Sequence, residues 1–112
     1  MTKLAFENCL RLNKDSSPIS DAEITALKAE IPDWEIVNVD GMPRLRKTYK
    51  FKNFEKALEF TIQVGETAEE QGHHPLITLT WGQTTVDWWT HDIGGLHKND
   101  FIMAAKSDAL YD

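Results

Sequence analysis

The four histidines of this 112-residue chain, His73, His74, His91 and His97, all fall between residues 73 and 97. Histidine titrates close to neutral pH, so it can both give and take a proton there. His73 and His74 stand between Gly72 and Pro75, and His91 follows Thr90. Glu69 lies one helical turn before His73, and Asp92 and Asp100 follow His91. Three readings fit these residues. They are polar loop residues at a sheet edge, or a metal site, or a general acid–base site for a small molecule. Three imidazoles and a carboxylate could hold zinc. Adjacent side chains on a strand face opposite ways, however, and the HExxH and CxxC spacings are absent. Nucleophilic catalysis has little support: Cys9 is the only cysteine and no GxSxG elbow occurs. No GxGxxG or P-loop is present, so no dinucleotide or nucleotide phosphate is implied.

The elements that must position these side chains follow from periodicity. Ser20-Asp-Ala-Glu23 is a capping box, and Ile24, Leu27 and Ile31 follow at helical spacing. Pro32 should end that helix near Glu30. A strand runs from Trp34 to about Val39, and Asp40-Gly41 is a hairpin signal, with Met42-Pro43 expected to lengthen the loop. Leu45, Lys47, Tyr49 and Phe51 then alternate with Arg44, Arg46, Thr48 and Lys50, giving a return strand with one apolar face. Asn53 caps a second helix whose stripe is Phe54, Ala57, Leu58, Thr61, Val64, Gly65 and Ala68, widened by Phe60 and Ile62. Gly65 in that stripe would let a sheet approach closely. Gly72 should close the helix in the left-handed conformation, and Pro75 keeps it from resuming.

Ile77, Leu79 and Trp81 begin a second hairpin, turning at Gly82-Gln83 and returning through Thr84, Val86 and Trp88 to Thr90-His91. Gly94-Gly95 breaks the chain before a third helix, Leu96 to Leu110, with Phe101, Ala104 and Ala105 inward. The class is α+β, αββαββα: a four-stranded antiparallel sheet with helices packed on one face. The start of one hairpin strand and the end of its partner are neighbours. The fold thus brings His73 and His91, 18 positions apart (91 − 73), to one edge of the sheet.

Composition narrows the function further. Hydrophobic residues at 41%, charged residues at 27% and a net charge of -6 describe an ordinary acidic globular domain. The one basic bias, Arg44 to Lys56, reads as the solvated face of a strand and a helix start, so nucleic acid is not an expected partner. A single cysteine excludes an intrachain disulfide and fits a reducing compartment. Lys3, Glu7 and Arg11 interrupt the N-terminal stretch, which predicts neither a signal peptide nor a membrane helix. The expected location is cytoplasmic.

The spaced residues Glu69, His73-His74-Pro75, Trp81, Thr90-His91, Gly95-Leu96 and Asp100 together resemble the pterin-4a-carbinolamine dehydratases. Upstream, Trp34, Arg46, Phe51 and Phe54 around Asn53, and Ala57 through Phe60 also fit. The resemblance spans about Ser20 to Leu110, leaving residues 1–19 as a leader and 20–112 as one domain. It implies loss of water from 4a-hydroxytetrahydropterin to give quinonoid dihydropterin, in tetrahydropterin recycling for aromatic amino-acid hydroxylases. It also implies His73 and His91 as an acid–base pair and His74 as a substrate-binding histidine. Glu69, Pro75, Thr90 and Asp100 are then the supporting or substrate-binding residues, and no metal or other cofactor is needed. A homodimer or homotetramer is implied, and a non-catalytic dimerisation cofactor on the same fold is the alternative. Two departures stand out. Leu76-Ile77 replaces an acid and a tryptophan common after His-His-Pro, and His97 stands where Ser or Thr usually caps the last helix.

Overall fold

The computed structural model describes residues 3–12 and 16–111. Three helices, α1 (Asp21–Lys28), α2 (Phe54–Gln71) and α3 (Lys98–Leu110), alternate with two hairpins. The first hairpin is β1 (Glu35–Val39) and β2 (Met42–Lys50), and the second is β3 (Leu76–Thr80) and β4 (Gln83–Trp88). The strands form one antiparallel sheet in the order β1-β2-β4-β3. This is the expected αββαββα order, with short 3-10 turns added at Lys3–Phe6 and His91–Ile93.

The caps form where the sequence places them. Ser20 accepts from the Glu23 N–H, and Asn53 from that of Lys56. Helix α1 stops at Lys28, two residues before the expected end, because the chain continues to Ile31 in tight turns (Glu30 N–H to the Leu27 carbonyl, Ile31 N–H to that of Lys28). The first loop is shorter than predicted. Asp40 (φ 53) and Gly41 (φ 81) both take the left-handed conformation, and Val39 pairs directly with Met42. This is the two-residue turn whose twist matches a hairpin, so Met42-Pro43 belongs to β2. Pro43 is tolerated because β2 begins pairing with β4 only at Leu45. The second turn is Trp81-Gly82 rather than Gly82-Gln83, since Thr80 pairs with Gln83. Trp81 therefore stands 68% exposed at the tip.

One face of the sheet carries Leu45, Tyr49, Thr84, Val86 and Trp88, all buried against α2 and α3. Helix α2 buries only Ala57, Phe60, Val64 and Ala68; Phe54, Leu58 and Ile62 of the predicted stripe remain exposed on a second face. Gly65 is not a close-approach position, as a Cβ there would meet nothing within 4 Å. Lys47 sits on the apolar face because Asp108 of α3 receives it at 2.8 Å, together with the Tyr49 hydroxyl and the Trp34 indole N–H. Burial, then the Asp108 hydrogen bond, pushes the Tyr49 phenol well above its ordinary range.

The leader is part of this packing. Leu4 is in the core at 1% exposure, and the Lys106 ammonium donates to the Ala5 carbonyl at 2.9 Å. Lys14-Asp-Ser-Ser-Pro18 has the composition of a turn or linker, but Lys14 and Asp15 lie outside the described residues.

Candidate functional site

Helix α2 ends as Gly72 takes φ 68, with Gly72 N–H on the Glu69 carbonyl and His73 N–H on that of Ala68. This closure turns the chain at once, so His73 and His74 leave the helix in opposite directions. The His73 ring packs inward, stacked on Trp88 at 5.9 Å with planes 9° apart. Its Nε2 lies 2.6 Å from Oδ1 of Asp100. The His74 ring points outward, with Nε2 2.8 Å from Oε1 of Glu69. Glu69 thus serves the second histidine, although sequence spacing set it one turn before the first.

Asp100 has no solvent exposure and joins three elements. Its Oδ1 faces His73 at the end of α2. Its Oδ2 accepts from the Thr90 hydroxyl after β4 and from the His97 N–H, both at 2.9 Å. With Oδ2 occupied by two donors, Oδ1 is the acceptor for the His73 Nε2–H, an assignment made from the network. The ring's other nitrogen, Nδ1, is then the one free to exchange a proton. A carboxylate behind an imidazole fixes its tautomer and orientation.

His97 completes the box at the start of α3. Its Nδ1 accepts from the Asn99 N–H at 3.0 Å while Asp100 reaches back to its own N–H. A neutral imidazole can therefore cap where Ser or Thr was expected. It is half-buried, and burial holds its pKa below the ordinary value, with Asp100 opposing the effect and His73 adding to it.

His91 opens the 3-10 turn after β4 and is exposed. Its ring makes no hydrogen bond among the described residues. Gly94 (φ 70) closes that turn, and Thr90 and Gly95 bridge beneath it. Gly95 meets a separate constraint, since a Cβ there would sit a tight 3.1 Å from the Pro18 ring.

His73, His74, His91 and Glu69 line one open cleft of about 650 Å³. Thr90, itself buried, also lines it; Asp100 and the half-buried Pro75 at the head of β3 are not among its lining residues, Asp100 lying buried behind His73. Among the described residues no group of three His, Cys, Asp or Glu side chains converges as a metal site. The reason is local: His73 and His74 each turn to a different carboxylate.

Several contributors had no sequence signal. Trp89 lines the cleft with the Arg44 guanidinium 3.7 Å over its ring. Arg44 and Arg46 are not simply solvated, because both pair with Asp87, itself 2% exposed. The Asp87 hydrogen bond raises the Arg46 pKa further. Cys9, Leu10 and Leu12 form another part of the wall, although their apolar pattern is too weak to predict an element.

Known proteins share this sequence pattern and fold. The sequence model of the family described as Pterin 4 alpha carbinolamine dehydratase matches residues 17–110. A protein of Microcystis aeruginosa, by name a candidate pterin-4-alpha-carbinolamine dehydratase, is 57% identical over 99% of this chain and 96% of its own. One of the same name from Syntrophotalea carbinolica is 51% identical over 98% of each. Among solved structures, a transcriptional coactivator/pterin dehydratase from Brucella melitensis superposes with a TM-score of 0.76 at 27% identity. It covers 86% of this chain and 100% of that one. A pterin dehydratase-like RuBisCO assembly factor of the alpha-carboxysome (TM-score 0.59, 22% identity, 70% of this chain and 88% of that one) shares the fold. Among the described residues no helix is long and apolar enough to cross a membrane.

Proposed function

Because this chain belongs to the pterin 4 alpha carbinolamine dehydratase family, we propose that it removes water from a 4a-hydroxytetrahydropterin to give quinonoid dihydropterin. The substrate carries a hydroxyl and a ring nitrogen on one carbon. The nitrogen lone pair forms the C=N bond as the C–O bond breaks, and the oxygen departs as water after receiving a proton. A base takes one proton from the pterin ring, so the reaction is redox-neutral. Hydroxide is a poor leaving group, which is why a positioned acid matters; such assistance is worth ~10²–10⁴-fold.

The observation that carries this reading is the buried His73–Asp100 pair opening onto the cleft that His91 also lines. His73 and His91 act as the acid–base pair. Asp100 positions His73, Thr90 holds Asp100, and His74 with Glu69 contacts the polar rim of the substrate. None of these steps calls for a metal or redox cofactor.

The physiological setting is recycling of tetrahydropterin for an aromatic amino-acid hydroxylase in the cytoplasm. Exposed Phe54, Leu58 and Ile62 on one face of α2, and open sheet edges at β1 and β3, support a homodimer or homotetramer. The Brucella melitensis protein, described as a transcriptional coactivator/pterin dehydratase, favours a second reading, a protein-binding module on the same fold. Three histidines gathered on one cleft favour the enzyme.

The test is stopped-flow absorbance of freshly generated 4a-hydroxytetrahydropterin. The expected result is dehydration faster than in buffer at catalytic protein concentration. Folded protein that gives no acceleration contradicts the proposal.

A further inference from the structure

The family match starts at residue 17, yet part of the cleft wall lies before it. That wall is a strap crossing the ends of α2 and α3. The Asn99 side-chain amide grips Leu10 at both backbone groups: Oδ1 accepts from its N–H at 2.9 Å, and Nδ2 donates to its carbonyl at 2.8 Å. Gln71 holds the residues before Leu10, its Oε1 accepting from the Cys9 N–H at 2.7 Å and its Nε2 donating to the Asn8 side-chain Oδ1 at 3.1 Å. Leu4 anchors the strap in the core, and an ion pair between Lys98 and Glu7 holds it at 2.8 Å. Asn99 precedes Asp100 and Gln71 lies two residues before His73, so the strap is fastened to the same helix ends that fix the buried pair.

Its side chains then become informative. The backbone of Leu10 is fixed, yet the residue is 66% exposed and lines the cleft. Core packing does not account for that placement. Half-buried Leu12 also lines the cleft, with the exposed Arg11 between them, and burial pushes the Cys9 thiol up to about 11, so that side chain is neutral and weakly polar near pH 7. The histidine side of the cleft is polar, with Glu69, His73, His74, His91 and Asp92. A flat heteroaromatic substrate has two apolar faces and a polar rim, and needs both kinds of surface.

We propose that residues 9–12 are the wall on which the substrate ring packs, with Leu10 the specificity-determining contact and Asn99 and Gln71 its positioning residues. This rests on the pterin reading of the cleft and adds a binding element outside the family's matched segment. The test compares full-length wild type, Leu10→Ala, Leu10→Met and Asn99→Ala. The readouts are steady-state kinetics with 4a-hydroxytetrahydropterin and calorimetric binding of the unreactive 7,8-dihydropterin. Ala26→Ser, at an exposed position of α1, is the control.

For Leu10→Ala we expect KM and the analogue's Kd to rise about 5- to 20-fold, with kcat within about twofold. Leu10→Met should restore most of the binding, Asn99→Ala should move KM in the same direction, and Ala26→Ser should change neither. Unaltered KM and Kd in Leu10→Ala overturn the proposal even if Asn99→Ala fails to fold. Wild type that binds the analogue without turnover, with binding weakened in Leu10→Ala, contradicts the dehydratase reading and upholds the wall. Wild type that does not bind the analogue overturns the wall as well.

Discussion

His73 and His74 are neighbours in sequence, each with a carboxylate at 2.6 or 2.8 Å, yet they are different devices. The side chains of His73 and Asp100 are 11% and 0% exposed, whereas those of His74 and Glu69 are 64% and 80% exposed. Water screens the outer pair and both side chains keep their freedom, so its bond contributes about 0–1 kcal/mol. The inner pair is held by Trp88 on one side and by two further hydrogen bonds to Asp100 on the other. Hydrogen-bond length alone does not distinguish the two; burial and the number of supports do. The inner pair suits proton transfer, which needs fixed geometry. The outer one suits contact with a ligand that must enter and leave.

The sharpest way to break this comparison is Asp100→Asn. Asn keeps the shape but offers one carbonyl oxygen to three donors, so the His73 tautomer and angle are no longer fixed. We expect kcat to fall about 10²-fold or more, with about 1–3 kcal/mol lost in urea denaturation. A kcat near wild type would mean the inner pair is only structural. His74→Ala should act differently, raising KM about 3- to 10-fold with kcat within about twofold. Glu69→Gln should be milder still, under about twofold in KM and within about 0.5 kcal/mol in stability. A Glu69→Gln effect equal to that of Asp100→Asn would erase the distinction between the pairs.

The smallest effect sharpens the inner pair's surroundings. The His97 cap works through a neutral Nδ1, and burial lowers its folded pKa below the ordinary 6.5. Below that value the unfolded chain binds the proton more readily than the folded one. The contribution is therefore present above pH ~6.5 and is lost as pH falls through the folded value. His97→Ser keeps a cap without the titration, so its thermal midpoint should decline less than that of wild type between pH 7.5 and 5. Parallel declines would remove His97 as the cause.

The contrast also explains what the sequence disclosed. Elements governed by local chemistry were legible: the Ser20 and Asn53 caps, the left-handed Gly72 and the alternation of Thr84, Val86 and Trp88. So was the meeting of His73, His74 and His91, because a hairpin joins its two far ends. The partners of Asp100 were not, since they lie 3, 10 and 27 residues away on three elements. The family resemblance pointed to Glu69 and Asp100 as supports without saying which histidine each would serve. The strap was invisible for the same reason. Asn99 and Gln71 carry no pattern of their own, and their partners are 89 and 62 residues away. Gly65 and Met42-Pro43 misled because a glycine in a stripe and a proline after a turn each have a second, blander explanation that only packing and register decide.

The most direct measurement is the single-turnover rate of 4a-hydroxytetrahydropterin dehydration at saturating enzyme, wild type against His73→Ala. At saturation, binding no longer matters and only the chemical step is read. The account predicts a wild-type rate well above buffer and a loss of about 10²–10⁴-fold in His73→Ala. A His73→Ala rate within about twofold of wild type would contradict it, because the buried histidine would then not be the group that moves the proton.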